Sequence, residues 1–178
     1  MILEETINKL IRDTVDLLLA SPGYTIKAKQ KDAPRPTGDY GDVDFVTDTG
    51  VGWEQFKYEN RQQDSDLDGT SEGMREIMMS VSFYRDSSID NARKVHQGLV
   101  RESVQSLFRA GGIGLIRRSE VRQISEALEN GWEERAQLDV FLSAVGTDTD
   151  IVNSILAVDM AGEYQARGLI YNFNIEVQ

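Results

Sequence analysis

The sequence has no cysteine, so disulfides, a thiolate nucleophile and thiolate metal ligation are all excluded. It has one histidine, His96, too few for a multi-imidazole metal site, and no base–nucleophile signature of a serine triad accompanies it. His96 reads as an ordinary helix-face residue. Cations are scarce: 19 Lys plus Arg face 30 Asp plus Glu, a formal net charge of −11. Gripping nucleic acid or an anionic membrane needs clustered Lys and Arg, and this balance argues against both. No apolar run approaches the roughly 18 residues of a bilayer-spanning helix. The opening MILEETINKLIRD places two acids before its first Lys, the wrong polarity for a signal peptide. These absences predict a chain without cofactor, metal or catalytic residues, made in the cytoplasm.

What is present is an ordinary globular composition: 178 residues, 40% hydrophobic and 28% charged, enough for one domain with a sizeable core. The most informative stretch begins at Trp132. Trp132, Glu134, Ala136, Leu138, Val140, Leu142 and Ala144 share one parity, and Glu133, Arg135, Gln137, Asp139 and Ser143 the other. Successive strand side chains point to opposite faces. The pattern therefore predicts one long strand with a core face and a polar face, and places Asp139 on the solvated side. Arg135, on that polar side, fits either cross-strand ion pairs or contact with a partner subunit, where arginine is enriched.

Along the chain, Leu3, Ile7, Leu10, Ile11, Thr14, Leu17 and Leu18 have the spacing of an amphipathic helix over Met1 to Ala20. A short strand is expected within Tyr24 to Gln30, and a connection through the proline-rich KDAPRPTGDYG. Strands are predicted at Tyr40 to Thr47, at Trp53 to Asn60 and at Met74 to Arg85. A solvated loop is predicted between Asn60 and Gly73. A helix enters at Ser87 or Ser88, with Ser87 and Asp90 resembling a capping box. It divides in two around Arg101 to Ser103, and Gly111-Gly112 caps its end. Its buried stripe is Ala92, Val95, Leu99, Leu107 and Phe108. Gly114 to Arg118 reads as extended, and Glu120 to Leu128 fits a strand or a helical turn. Turns are expected at Val145 to Asp150 and at Met160 to Gly162, with a strand between them and a last strand from Leu169 to the C-terminus. The expected class is α+β: a mixed, mostly antiparallel sheet with the N-terminal helix and a central, broken helix packed on it.

Two local motifs imitate binding sites. Asp64, Asp66 and Asp68 with Gly69 and Glu72 follow the first nine positions of a calcium-binding EF-hand loop. Position twelve is Arg75 rather than the bidentate Glu, and the flanks read as strands, so an acidic loop tip is the better reading. Gly111-Gly112-Ile113-Gly114 follows a helix instead of a strand and lacks a Lys-Ser/Thr pair, so it is a helix cap and not a phosphate loop.

The order of motifs resembles a family. PRPTGDYGDVDF, MREIMMSVSFYR with its helix entered through SSIDNA, VRESVQSLFRAGGIGLI and ENGWEERAQLDVFL together resemble the neck or tail terminator proteins of tailed bacteriophages. The resemblance covers about Leu3 to Val145 and is most specific in Trp132-Glu-Glu-Arg-Ala-Gln137. Glu102 stands where many members have a proline opening the second helix half. The resemblance implies one domain, 1–178, with a core at 3–145 and a C-terminal strand extension at 146–178. It implies a homo-oligomeric ring, usually a hexamer, that caps the completed tail tube in the virion neck. Its partners would be the tail tube protein, the head–tail connector or stopper and, in a contractile tail, the sheath, with the genome passing through the lumen unbound. Assembly-contact candidates are Trp132, Glu134 and Arg135 in the family-like motif, and Asp64, Asp66 and Asp68 in the acidic loop. The alternatives are another ring component of the virion, such as a stopper or tube subunit, or a small calcium-binding protein.

Overall fold

A computed structural model describes residues 2–30, 34–60, 67–128, 131–153, 158–166 and 169–177. In chain order the elements are α1 (Ile2–Leu19), β1 (Thr25–Lys27), β2 (Tyr40–Asn60), β3 (Leu67–Tyr84), α2 (Ser88–Gly98), α3 (Glu102–Ala110), β4 (Ile113–Arg118), β5 (Arg122–Gln123), β6 (Glu126–Leu128), β7 (Gly131–Glu133), β8 (Arg135–Val152), β9 (Val158–Ala166) and β10 (Leu169–Val177). The chain forms two compact units, the first from Met1–Trp53 and Gly73–Gly146, the second from Glu54–Glu72 and Thr147–Gln178.

In the first unit the sheet order is β1-β2-β3-β8-β4, with β5 also paired to β8. β1 runs parallel to β2, whereas β4 and β5 run antiparallel to β8, which is the α+β plan expected. All three helices cover one face. Ile7, Ile11 and Val15 of α1, Ala92 and Val95 of α2, and Val104 and Phe108 of α3 close over Val43, Ile77, Met79, Val81, Phe83, Ala136, Leu138, Val140 and Leu142. The i, i+4 series of α1 sets its inner face, so Val15 is core while Leu17, expected there, is exposed. Val104 likewise takes the inner place expected of Leu107, which faces solvent.

The central helix is two helices, as the sequence predicts. α2 ends at Gly98, where an added Cβ would lie 2.4 Å from Leu18 Cδ2 of α1. The close approach of α1 to α2 therefore depends on that glycine. Arg101, with extended backbone, leads into α3, and Gly112, at φ +70°, turns the chain out of it. The capping box at Ser87 does not form: its side chain makes no cap bond, and its carbonyl accepts the Asn91 N–H at 2.9 Å.

The strands are longer than expected, and four readings are corrected. The two strands predicted at Tyr40 to Thr47 and Trp53 to Asn60 are one 21-residue strand, β2. Gly50 and Gly52 between them face open space, and Gly52, at φ +81°, takes a left-handed conformation without ending the strand. β3 begins at Leu67, so the loop predicted through Gly73 does not extend that far. Val145 to Asp150 is not a turn, because β8 continues to Val152. Gly146 is there for clearance, since a Cβ would sit 2.5 Å from Arg75 Cδ. Met160 to Gly162 is interior to β9, where Gly162 pairs with Phe173 of β10. In the opposite direction, the strand expected from Trp132 is interrupted at Glu134, so β7 and β8 are separate.

The second unit contains the far ends of β2, β3 and β8 and the β9–β10 hairpin, in register from Leu169↔Ala166 to Val177↔Val158. Lys57 bridges Glu72 at 2.8 Å. Phe56, Tyr58, Asp148 and Val152 border a cavity of about 260 Å³.

Candidate assembly surface

Three of the quoted motifs converge at one end of the sheet in the first unit. The proline-rich approach to β2 brings Arg35, Pro36, Tyr40 and Asp42. The end of β3 brings Ser82, Tyr84 and Arg85, and the β7–β8 junction brings Trp132 to Arg135. Tyr40 and Tyr84 stack with ring centres 4.5 Å apart and planes 6° from parallel. The Tyr84 hydroxyl donates to Asp42 Oδ2 at 2.9 Å. Burial, then the charge and hydrogen bond of Asp42, push the Tyr84 phenol well above its ordinary value. It therefore stays protonated and acts as a donor. Burial raises Asp42 as well, opposed by the Tyr84 bond and the Arg135 charge.

Arg85 is the clamp of this cluster. It sits at φ +73°, a left-handed conformation costing a non-glycine residue about 1–2 kcal/mol, and five contacts hold it there. Its N–H donates to the Glu134 carbonyl at 2.8 Å. Its guanidinium donates to the Gly38 carbonyl at 2.7 Å and the Pro36 carbonyl at 2.6 Å. It also lies 5.7 Å from the Tyr40 ring centre and 3.9 Å from Glu133. Glu133 in turn bridges Arg35 at 3.1 Å. The proline-rich segment is thus tied to β3 and β7 by cations, not by a strand ladder.

Above the clamp lies an open groove of about 520 Å³ lined by Asp39, Arg85, Asp86, Trp132, Glu133 and Glu134, among others. Trp132 is 76% exposed, not on the core face where its parity placed it. Its strand β7 pairs with β6 through Ala127↔Trp132, outside the main sheet. Glu134 is exposed as well. Arg135 is half-buried: Nη2 donates to Ser82 Oγ at 3.1 Å, and the guanidinium lies 5.0 Å from the Tyr84 ring centre, while its buried Nε has no partner.

Asp139 corrects another expectation. Although it is on the predicted solvent-facing parity, it is only 4% exposed. Oδ1 accepts from Ser80 at 3.0 Å and Gln137 at 3.2 Å, and Oδ2 accepts from Arg122. Long side chains cover this face, so its small polar groups are buried with their bonds made. Phe141, which breaks the alternation, carries the Arg117 guanidinium 3.6 Å from its ring centre, and Arg117 also bridges Glu76 at 3.0 Å.

Of the acidic-loop candidates, Asp64 and Asp66 lie outside the described residues, and Asp68 is half-buried in β3. Arg75, in the twelfth position of the calcium-loop pattern, donates to Asp48 at 2.6 Å. His96 is in the last turn of α2, where burial and then the Arg118 charge lower its pKa. Tyr40, Ser82, Tyr84 and Arg85 had no individual sequence signal, since their roles depend on partners 40 or more positions apart.

Compared with curated proteins, the chain matches none. The model of the phage neck terminator proteins does match, over residues 2–166, and its span includes all three motifs that meet at this surface. The chain therefore belongs to the phage neck terminator protein family.

Proposed function

We propose that this protein closes into a ring, of six subunits as the family resemblance implies, that caps the last layer of the tail tube and then joins the tail to the head connector. As a neck terminator it is a structural component of the virion neck and not an enzyme. The observation that carries the proposal is the Trp132 groove: an exposed indole and several carboxylates held on a braced end of the sheet. A large exposed aromatic beside a rigid cleft is the kind of anchor that dominates protein interfaces. Trp132 and Glu134 are exposed and can meet a partner, and Arg135, next in the chain, is anchored to Ser82 and Tyr84. The net charge of −11 also suits a ring whose lumen passes DNA, because acidic walls repel duplex instead of trapping it.

A cap needs one face complementary to a tube end and another that does not repeat it, otherwise head-to-tail contacts would continue into a filament. Electron micrographs of the purified protein, alone and with tail tubes, should show closed rings or monomers that collect at tube ends. Growth of filaments would favour a tube subunit instead. Lysates of a phage lacking the protein should hold filled heads without joined tails, and tails of irregular length. Normal-length tails on full heads would refute the proposal.

A further inference from the structure

Among the described residues of the first unit, charges without a counter-ion are segregated. The stretch from Arg93 to Arg122 carries Arg93, Lys94, Arg101, Arg109, Arg117, Arg118 and Arg122 against only Glu102 and Glu120, a basic segment in an acidic chain. Arg109, Arg117 and Arg122 are paired with Glu102, Glu76 and Asp139. Lys94 and Arg101 are exposed and make no side-chain bond or ion pair among the described residues. Arg118 directs its guanidinium to the neutral His96 carbonyl, so its charge also stays uncompensated at the end of α2. In the Trp132 groove the imbalance is reversed. Asp39, Asp86 and Glu134 line it and have no cation among the described residues, because Arg35 and Arg85 both turn to Glu133.

Identical subunits of net charge −11 repel one another. A two-fold contact pairs both patches reciprocally and closes at two subunits, whereas a head-to-tail contact uses each patch once per junction and leaves the other for the next subunit, so it can close a ring. Here the two different patches have opposite sign. We infer that the basic face of α2 and the α2–α3 junction of one subunit docks into the Trp132 groove of the next, and that this is the contact that closes the ring. The inference rests on the ring reading above and names the partner of its groove as a second copy of this chain. Arg101 is the better match for the indole, since a guanidinium stacks on an aromatic face, and Lys94 suits the carboxylates of Asp86 and Glu134.

Two charge-reversed proteins test this: Lys94→Glu with Arg101→Glu, and Asp86→Lys with Glu134→Lys. All four positions are exposed, so both proteins should keep the wild-type circular dichroism spectrum. By sedimentation velocity, each alone should assemble roughly ten-fold or more weakly, because like charges then face each other. An equimolar mixture should recover rings with the two proteins alternating, since each then presents a sign-matched surface to the other. Wild-type assembly should also weaken with added salt, as the screening length contracts to about 10 Å near 0.1 M. If either variant alone assembles within about two-fold of wild type, or the mixture fails while wild type forms rings, the docking inference is overturned and the ring reading stands. A wild type that forms no ring, alone or on tube ends, overturns both.

Discussion

Replacing Asp139 by Ala separates the tertiary structure from the strand pattern. Parity alone puts Asp139 on a wet face, where a substitution changes stability by no more than about half a kcal/mol. The structure buries it beneath Ser80, Gln137 and Arg122. In the Ala variant the Ser80 hydroxyl still accepts from Gln137 at 2.6 Å, but its own hydrogen has no acceptor in a buried setting. An unsatisfied buried donor costs about 1–3 kcal/mol. Arg122 is half-exposed and rehydrates, so its ion pair adds at most about 1 kcal/mol. Asp139→Ala should therefore lose about 1–4 kcal/mol. Asp139→Asn, which keeps an acceptor for Ser80 and Gln137, should lose about 1 kcal/mol. The backbone bonds to Ser119 survive in both. Urea denaturation of dilute subunits measures the difference, and a double-mutant cycle with Arg122→Ala isolates the ion pair. Equal stability of Asp139→Ala and wild type would refute the buried network.

Leu138→Ala, in the centre of the core, should cost about 2–5 kcal/mol by the same denaturation assay. A loss below about 1 kcal/mol would contradict the core assignment. Gly98→Ala drives a Cβ into Leu18 and should destabilise by about 1–3 kcal/mol through overpacking, visible as a lowered Tm. Burial raises the Asp42 pKa, so the unfolded chain binds fewer protons near that group and its charged form weakens the fold above the raised value. Asp42→Asn should therefore gain relative to wild type at pH 7 and lose that gain as pH falls through the raised pKa toward 3.8. A difference that does not vary with pH, in melts at matched ionic strength, would reject this account. Calorimetric titration with calcium should show no binding in the micromolar range of sensor loops, because Arg75 occupies the twelfth position and is engaged by Asp48. Micromolar binding would restore the calcium alternative.

The sequence by itself determined the elements whose own side chains carry the signal. The amphipathic run of α1, the division of the central helix, the Gly111-Gly112 exit and the core parity of Ala136, Leu138, Val140, Leu142 and Ala144 were legible because each is a local periodicity. The order of PRPTGDYGDVDF, SFYR and WEERAQ was enough to suggest the family. Only the tertiary structure decided where polar, glycine-containing stretches continue as strand. TDTGVG in β2 and VGTDTD in β8 have turn chemistry, yet both lie inside continuous strands of a sheet in which β2, β3 and β8 are neighbours, and pairing within a sheet overrides local turn preference. It also decided which polar residues are buried. Asp139 and Ser80 are covered by long side chains from β5 and β8, a cover that alternation along one strand cannot report. Trp132 shows the converse: its parity pointed inward, but the break at Glu134 takes β7 out of the main sheet and leaves the indole in solvent. The groove depends on Arg85 gathering segments far apart in the chain, and contacts between distant positions leave no trace in a local pattern.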